Sequence, residues 1–475
     1  MGTLCLSGHS LHAQNTAIAS ENSSVVIDFT KPQPPQPQQQ TNLIWTAQGI
    51  TQLRRNQQGV YVSQTRLVPL TNVEPHLSFT LVAEIENYDP QLLDIQIRFF
   101  STENGWSEWS ALSRDHDIPF DPSIFNSEMV ILGTQTTSFE FVLQYAKGVP
   151  GLDPVLVKSL RFDFFSPGSV PVYTADDNLS IVYPGASTDC GCGIPAYVSR
   201  TSWYCPDKQS PSCNNAIFAP VSHIIVHQTG GPNYSTNWSA IVHSIWNKHV
   251  NSNGWCDIGY NWLIDPNGMI YEGAGGGNNV IGNHYCGSSE ATMGIGMLGD
   301  FRNSSPTAAA LLSLERLMAW KACDASIDPL ADAYHAPSAR ITNNIASHSG
   351  GCDIQYPNNQ LDPAIQFAKI RTQATLDSCN RNLVASIEQW SLSGFHSFPN
   401  PVRDQLTVML ESASFQDGQL TLVNPLGQTL YQERVDIVPG QNHWQLSPES
   451  ISSGVYHLFI STPQQKLHRS LIWER

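Results

Sequence analysis

The sequence predicts a multi-domain protein: a central α/β domain, with a mixed β-sheet and flanking helices, between an N-terminal β-sandwich and a small C-terminal β-sandwich. Three patterns lead there. Between Val221 and Gly299 a β-branched run, a helical stretch, a turn-linked pair of apolar runs and a further apolar strand follow one another, which is the layout of a mixed sheet. Residues 42–183 alternate apolar and polar positions between turn residues, with no long helical pattern. Beyond residue 384 short strands return. A chain of this length has room for about three domains.

Residues 1–20 read as a partial signal peptide or leader, ending in a Leu-His-Ala-Gln segment but lacking a basic start. Residues 21–41, with the run Lys31-Pro-Gln-Pro-Pro-Gln-Pro, read as a stiff, solvated Pro/Gln spacer. From 42 to 183 the strands are Gly59–Ser63, Leu77–Ile85, Asp94–Phe100, Ser138–Tyr145 and Leu160–Phe165. Strict alternation in Ile95-Gln-Ile-Arg-Phe marks a half-exposed sheet, and a jelly-roll-like sandwich follows. Trp106 and Trp109 sit near a strand end. They suit a carbohydrate platform or cross-strand packing, and the usual burial of aromatics favours packing.

In the centre, His223-Ile-Ile-Val-His-Gln228 is a buried strand that delivers His227 beside Gly230 and Gly231. Ser239–Val250 has helical periodicity, with Ser239 as the expected N-cap. Asp265-Pro-Asn-Gly268 joins two apolar runs as a hairpin turn. Met293–Gly299 is a further short strand, and Pro306–Ala325 and Pro363–Leu376 read as helices.

Composition excludes some functions. The formal charge is −16 with 24 basic residues, so the footprint of a nucleic-acid-binding protein is missing. No run reaches the ~18 apolar residues of a membrane span. Ten cysteines point to disulfides and an oxidising compartment. Plausible bridges are Cys205–Cys213, Cys256–Cys286 and Cys323–Cys352, with Cys190-Gly-Cys192 as a possible redox or metal pair instead. With Cys5 in the leader, the remaining odd count leaves at least one thiol free or intermolecular.

Arg200-Thr-Ser-Trp203, Val226-His-Gln-Thr-Gly230, Gly254-Trp-Cys-Asp-Ile-Gly-Tyr-Asn261, Ile270-Tyr-Glu-Gly273, Gly282-Asn-His284 and Thr292-Met-Gly-Ile-Gly296 follow in a specific order. As a set they resemble the peptidoglycan recognition protein and phage-type N-acetylmuramoyl-L-alanine amidase family, over residues 194–378. The resemblance implies a zinc-dependent hydrolase that cleaves the amide between N-acetylmuramic acid and L-alanine. It places His227 and His348 as zinc ligands and Tyr260 as the active-site tyrosine that positions water or supports the oxyanion. Trp255, Glu272 and His284 would contact the muropeptide. The loop Gly273–Gly277 is no phosphate cradle, because the Lys-Ser/Thr ending is missing.

The third ligand departs from the family pattern. A cysteine is usual where this sequence has Tyr356, before Pro357 and Leu361. Tyr356 as phenolate and Asp362 in Leu361-Asp362-Pro363 are equal candidates, with Cys352 third. Loss of zinc is the remaining possibility, which would leave a non-catalytic peptidoglycan-binding protein.

In residues 384–475, Phe398-Pro-Asn-Pro-Val402, Leu422-Val-Asn-Pro-Leu-Gly-Gln428, Ser453-Gly-Val-Tyr-His-Leu-Phe-Ile460 and the basic Lys466, His468 and Arg469 resemble the C-terminal sorting domain of type IX secretion. That resemblance implies export through the periplasm by the type IX machinery to the surface or the medium. A monomer is expected.

Overall fold

The computed structural model describes residues 20–32, 36–71, 75–133, 135–173, 192–203, 216–275, 278–285, 287–350, 359–384, 392–412, 416–425, 427–438, 440–447, 451–462 and 466–474. The chain divides into two compact units, one from Met1–Ser187 and Gly193–Ile365, the other from Thr188–Cys192 and Gln366–Arg475. The division falls inside the helix Leu361–Val384.

The first unit begins with paired antiparallel sheets. One contains Ile124–Asn126, Ser78–Glu86, Leu156–Ser166, Gly49–Gln52 and Leu43–Thr46, the other Ser110–Ala111, Leu93–Ser101, Thr136–Tyr145, Gly59–Ser63 and Pro37–Thr41, in those orders. Their inward side chains share a core. The Phe162 ring of the first sheet lies 4.9 Å from Phe139 and 5.1 Å from Phe141 of the second.

The expected spacer is not a spacer. Glu21–Asp28 pairs in register with Leu156–Ser166, and Ile27 and Phe29 are core residues. The Pro/Gln composition hid the alternation of Val25, Ile27 and Phe29. Pro37–Thr41 pairs with Gly59–Ser63 at a sheet edge, where a proline opening the strand leaves no ladder bond unmade. Trp106 and Trp109 flank the Arg98 guanidinium, at 4.7 and 4.6 Å from their ring centres.

The central sheet has the order Ile270–Glu272, Trp262–Ile264, Thr292–Met297, His223–Gln228, Ile345–Ser347. The last four are mutually parallel and the first pair is the antiparallel hairpin. The helix over this sheet is Trp238–Asn247, and Asn237, not Ser239, caps it by accepting from the Ala240 amide. Ser239 is one residue too far in, at the first turn. The other helices are Ala308–Asp324, capped by Thr307, and Leu361–Val384. Met129 from the N-terminal sheets joins the core cluster of Trp203, Trp246, Ile258 and Tyr260, so the paired sheets and the α/β layer share packing.

In the second unit a three-stranded and a four-stranded sheet enclose Val402, Leu406, Val408, Leu420, Leu458 and Trp473. Cys192 is bonded to Cys379 there, which overturns the local redox or metal reading of Cys190 and Cys192. Cys256 and Cys323 are also disulfide-bonded. Cys205, Cys213, Cys286 and Cys352 lie outside the described residues. Among the described residues no cysteine is free, and no helix is long and apolar enough to cross a membrane.

Candidate metal centre

Strand register brings two histidines together. Val226 pairs with Ser347 in the parallel ladder, so the next residues, His227 and His348, emerge at the same carboxyl end of adjacent strands. Open α/β sheets commonly hold ligands at such ends. The two rings are 4.7 Å apart. His227 is fully buried and His348 is 4% exposed.

A chain of hydrogen bonds settles the tautomer of His227. Thr292 Oγ1 donates its hydrogen to the Ser289 carbonyl at 2.6 Å, so His284 Nε2, 3.1 Å away, must donate to Thr292. His284 Nδ1 is then an acceptor, and His227 Nε2 donates to it at 3.0 Å. The proton of neutral His227 is therefore on Nε2, and Nδ1 carries a lone pair. Burial lowers the pKa of His227, against the pull of Asp117. Burial, then the neighbouring His227, lowers His284 and His348 well below the ordinary value. All three are neutral imidazoles, the form in which histidine binds a metal.

Gly294 makes room for the His284 ring and Gly296 for the Tyr260 ring. A Cβ at Gly294 would lie 2.4 Å from His284 Cδ2, and one at Gly296 would lie 3.0 Å from Tyr260 Cδ2.

The side chain facing His227 comes from the N-terminal sheets. The connection from Ser110–Ala111 to Ile124–Asn126 carries Asp115, His116 and Asp117 into the α/β layer. Asp117 Oδ1 is 3.2 Å from His227 Nδ1 and 3.9 Å from His348 Nε2. Asp117 Oδ2 accepts from the Tyr260 hydroxyl. Burial opposes its charge, but the charged His116 beside it holds its pKa well below the usual carboxylate range. Neither Asp117 Oδ1 nor His227 Nδ1 has a hydrogen-bond partner.

His116, Asp117 and His348 offer donor atoms within 4.8 Å of one another. Both nitrogens of His116 are engaged elsewhere, however. Nε2 is 3.1 Å from the Gln228 carbonyl and Nδ1 is 3.3 Å from Glu128 Oε1. Carbonyl and carboxylate only accept, so both nitrogens donate. Burial disfavours that charge, but Asp117 and the Glu128 hydrogen bond outweigh it and push the pKa up to about 9. His116 is a brace that presents no lone pair; His227 is outside that group of three, but its Nδ1 lies 3.2 Å from the same Asp117 oxygen and carries the lone pair that His116 lacks.

The other expected site residues are distributed differently. The Tyr260 ring is 5.3 Å from His227, but its hydroxyl hydrogen goes to Asp117. His284, expected to touch substrate, is fully buried and orients His227 instead. Glu272 belongs to the sheet edge opposite His348 and accepts from the Arg200 amide at 2.9 Å. Trp255 is half-buried against the His249 ring, 4.5 Å away. Asp362 accepts from Ser349 Oγ at 2.8 Å and Asn359 Nδ2 at 3.1 Å, and it is outside the donor cluster. Tyr356 and Cys352 lie outside the described residues. The sequence reading missed His116 and Asp117, whose only local signal is the charged run Arg114-Asp-His-Asp117.

Residues 218–365 match the family model described as N-acetylmuramoyl-L-alanine amidase, and residues 396–474 match the secretion system C-terminal sorting domain. Peptidoglycan recognition protein 1 of Bos indicus is 30% identical over 154 residues, 32% of this chain and 76% of that protein. Peptidoglycan-recognition protein SC2 of Drosophila simulans is 32% identical over 124 residues, 26% of this chain and 64% of that protein. The solved structure of Drosophila PGRP-LB shares 25% identity, covering 36% of this chain and 92% of that one, with a TM-score of 0.29. His116 and Asp117 precede the matched amidase residues.

Proposed function

The chain belongs to the peptidoglycan recognition protein family, and we propose that it is a zinc-dependent hydrolase of the amide between N-acetylmuramic acid and L-alanine in peptidoglycan. One observation carries the reading: two buried neutral histidines at adjacent strand ends, with the His227 lone pair facing a carboxylate oxygen that makes no hydrogen bond. Nitrogen and carboxylate donors fit a zinc site. A zinc ion held there supplies Lewis acidity, which lowers the pKa of a water to about 7 and polarises an amide carbonyl.

The chain's own residues do the rest. Thr292 and His284 hold His227 in the one tautomer that leaves Nδ1 available. Tyr260 orients the Asp117 carboxylate. The C-terminal sorting domain directs export by a type IX-like system, which suits an enzyme acting on cell wall and a chain containing disulfides. In this reading the paired N-terminal sheets form a jelly-roll-like sandwich, and the protein works as a monomer.

A second reading is recognition without cleavage. It is favoured by the burial of His227 and His348, which keeps both donor rings from open contact with solvent.

The test is zinc stoichiometry on the full chain, with muropeptide turnover before and after chelation. About one zinc per chain and chelator-sensitive release of the stem peptide support the amidase. Muropeptide binding with neither zinc nor turnover would make it a recognition protein.

A further inference from the structure

We propose that Asp117 is the third protein ligand of the zinc held by His227 and His348, so that the N-terminal sheets complete the metal centre of the α/β layer. This rests on the zinc reading above and deepens it.

The argument starts from lone pairs. The hydrogen-bond chain through Thr292 and His284 leaves His227 Nδ1 with no hydrogen, and the atom 3.2 Å away is a carboxylate oxygen. Two acceptors facing each other in a buried site repel unless a cation lies between them. A shared proton would need a hydrogen bond of acceptable geometry, and neither atom makes one. The same oxygen is 3.9 Å from His348 Nε2; the charged His116, whose Nε2 is 3.6 Å away, balances the carboxylate's charge but makes no hydrogen bond to this oxygen. Two imidazoles and one carboxylate form a known zinc set that leaves a position open for water.

The carboxylate is also held in place as a ligand needs to be. The Tyr260 hydroxyl fixes its other oxygen. Its backbone amide donates to Asp115 Oδ1 at 3.1 Å. Asp115 Oδ2 is in turn 2.7 Å from Lys248 Nζ and 3.1 Å from Asn253 Nδ2. On the other side His116 ties the connection to the Gln228 carbonyl, next to His227. Outer partners of this kind orient a metal's ligands. The competing carboxylate, Asp362, is instead engaged by Ser349 and Asn359.

The test uses the full chain, with Zn2+ and Co2+ as probes. Metal affinity is measured by chelator competition, and the visible spectrum of the Co2+ form reports the ligand set. The variants are D117A, the nearly isosteric D117N, Y356F and D362N, each checked for folding by circular dichroism. We expect D117A to weaken metal binding by more than about 100-fold, beyond the loss of an outer partner, with D117N intermediate. Both should alter the Co2+ spectrum, while Y356F and D362N keep the wild-type affinity and spectrum. Wild-type affinity and spectrum in D117A and D117N would overturn the proposal. In that event raised turnover would identify Asp117 as a cover over the site instead of a ligand. If the wild-type chain binds neither ion, the zinc reading fails and takes this proposal with it.

Discussion

Lys248 Nζ lies 2.7 Å from Asp115 Oδ2, and both side chains are buried. This ion pair fastens the turn after the helix Trp238–Asn247 to the connection that carries Asp117. Burial raises the Asp115 pKa, but Lys248 outweighs that and the net shift is downward. K248M removes the counter-charge and leaves a buried carboxylate with only its hydrogen bonds from Asn253 and the Asp117 amide, which costs about 3–5 kcal/mol. Urea unfolding of the single variant and of the K248M/D115N pair checks this. The pair should recover much of the loss, and equal destabilisation in both would count against the assignment.

His284→Phe tests how His227 is oriented. Without the acceptor at His284 Nδ1, the Nε2 proton of His227 loses its anchor. Zinc affinity should fall by about 10–100-fold, measured by chelator competition. A residue that only touched substrate would raise KM and leave metal affinity alone, so the two roles separate in one experiment.

Gly294→Ala should damage the same site from beneath. The new Cβ would meet His284 at 2.4 Å for Cδ2 and 2.5 Å for Cγ. Overpacking of this kind costs about 1–3 kcal/mol, and the displaced ring carries His227 with it. The expected signature is a lower Tm together with weaker zinc binding. Gly133→Ala, with nothing within 4 Å, serves as the control and should leave zinc binding as it is.

Tyr260→Phe removes one hydrogen bond to a buried carboxylate, worth about 1–3 kcal/mol. If Tyr260 acts by orienting Asp117, zinc affinity and stability should both drop. A fall in kcat at unchanged metal affinity would instead return Tyr260 to the catalytic role expected from its position in Asp257-Ile-Gly-Tyr-Asn261.

Local chemistry in the sequence was enough for the elements that build the sheet. The β-branched run His223–Gln228 and the turn at Asp265–Gly268 are strand and hairpin in the structure. Helix limits moved by a few residues, because a cap depends on which side chain reaches the first amides, and Asn237 competes with Ser239. The strand Glu21–Asp28 was hidden because its partner, Leu156–Ser166, is distant in the chain. The centre divides in the same way. His227 and His348 follow from motif order, whereas Asp117 becomes relevant only when two sheets and a parallel ladder have packed. No spacing rule links it to His227. Cys192 and Cys379, 187 residues apart, escaped pairing by proximity for the same reason.

The C-terminal unit should lose stability in acid. His457 is buried against the Phe367 ring, 4.6 Å away, and His457 Nδ1 lies 3.0 Å from His468 Nε2. Burial, then the charge of Arg371, brings His457 from 6.5 down to about 4 and His468 down to about 3. Both are depressed in the folded state, so below 6.5 the unfolded chain takes up protons first. Their contribution is therefore full above about pH 6.5 and is lost as the pH falls towards 4 and then 3. The check is the urea midpoint of the transition that exposes Trp473, followed between pH 7 and 4. It should fall with acid in the wild-type chain and fall less in H457F, whose ring can pack on Phe367 and cannot take a proton. A midpoint that declines equally in both would remove His457 as the source.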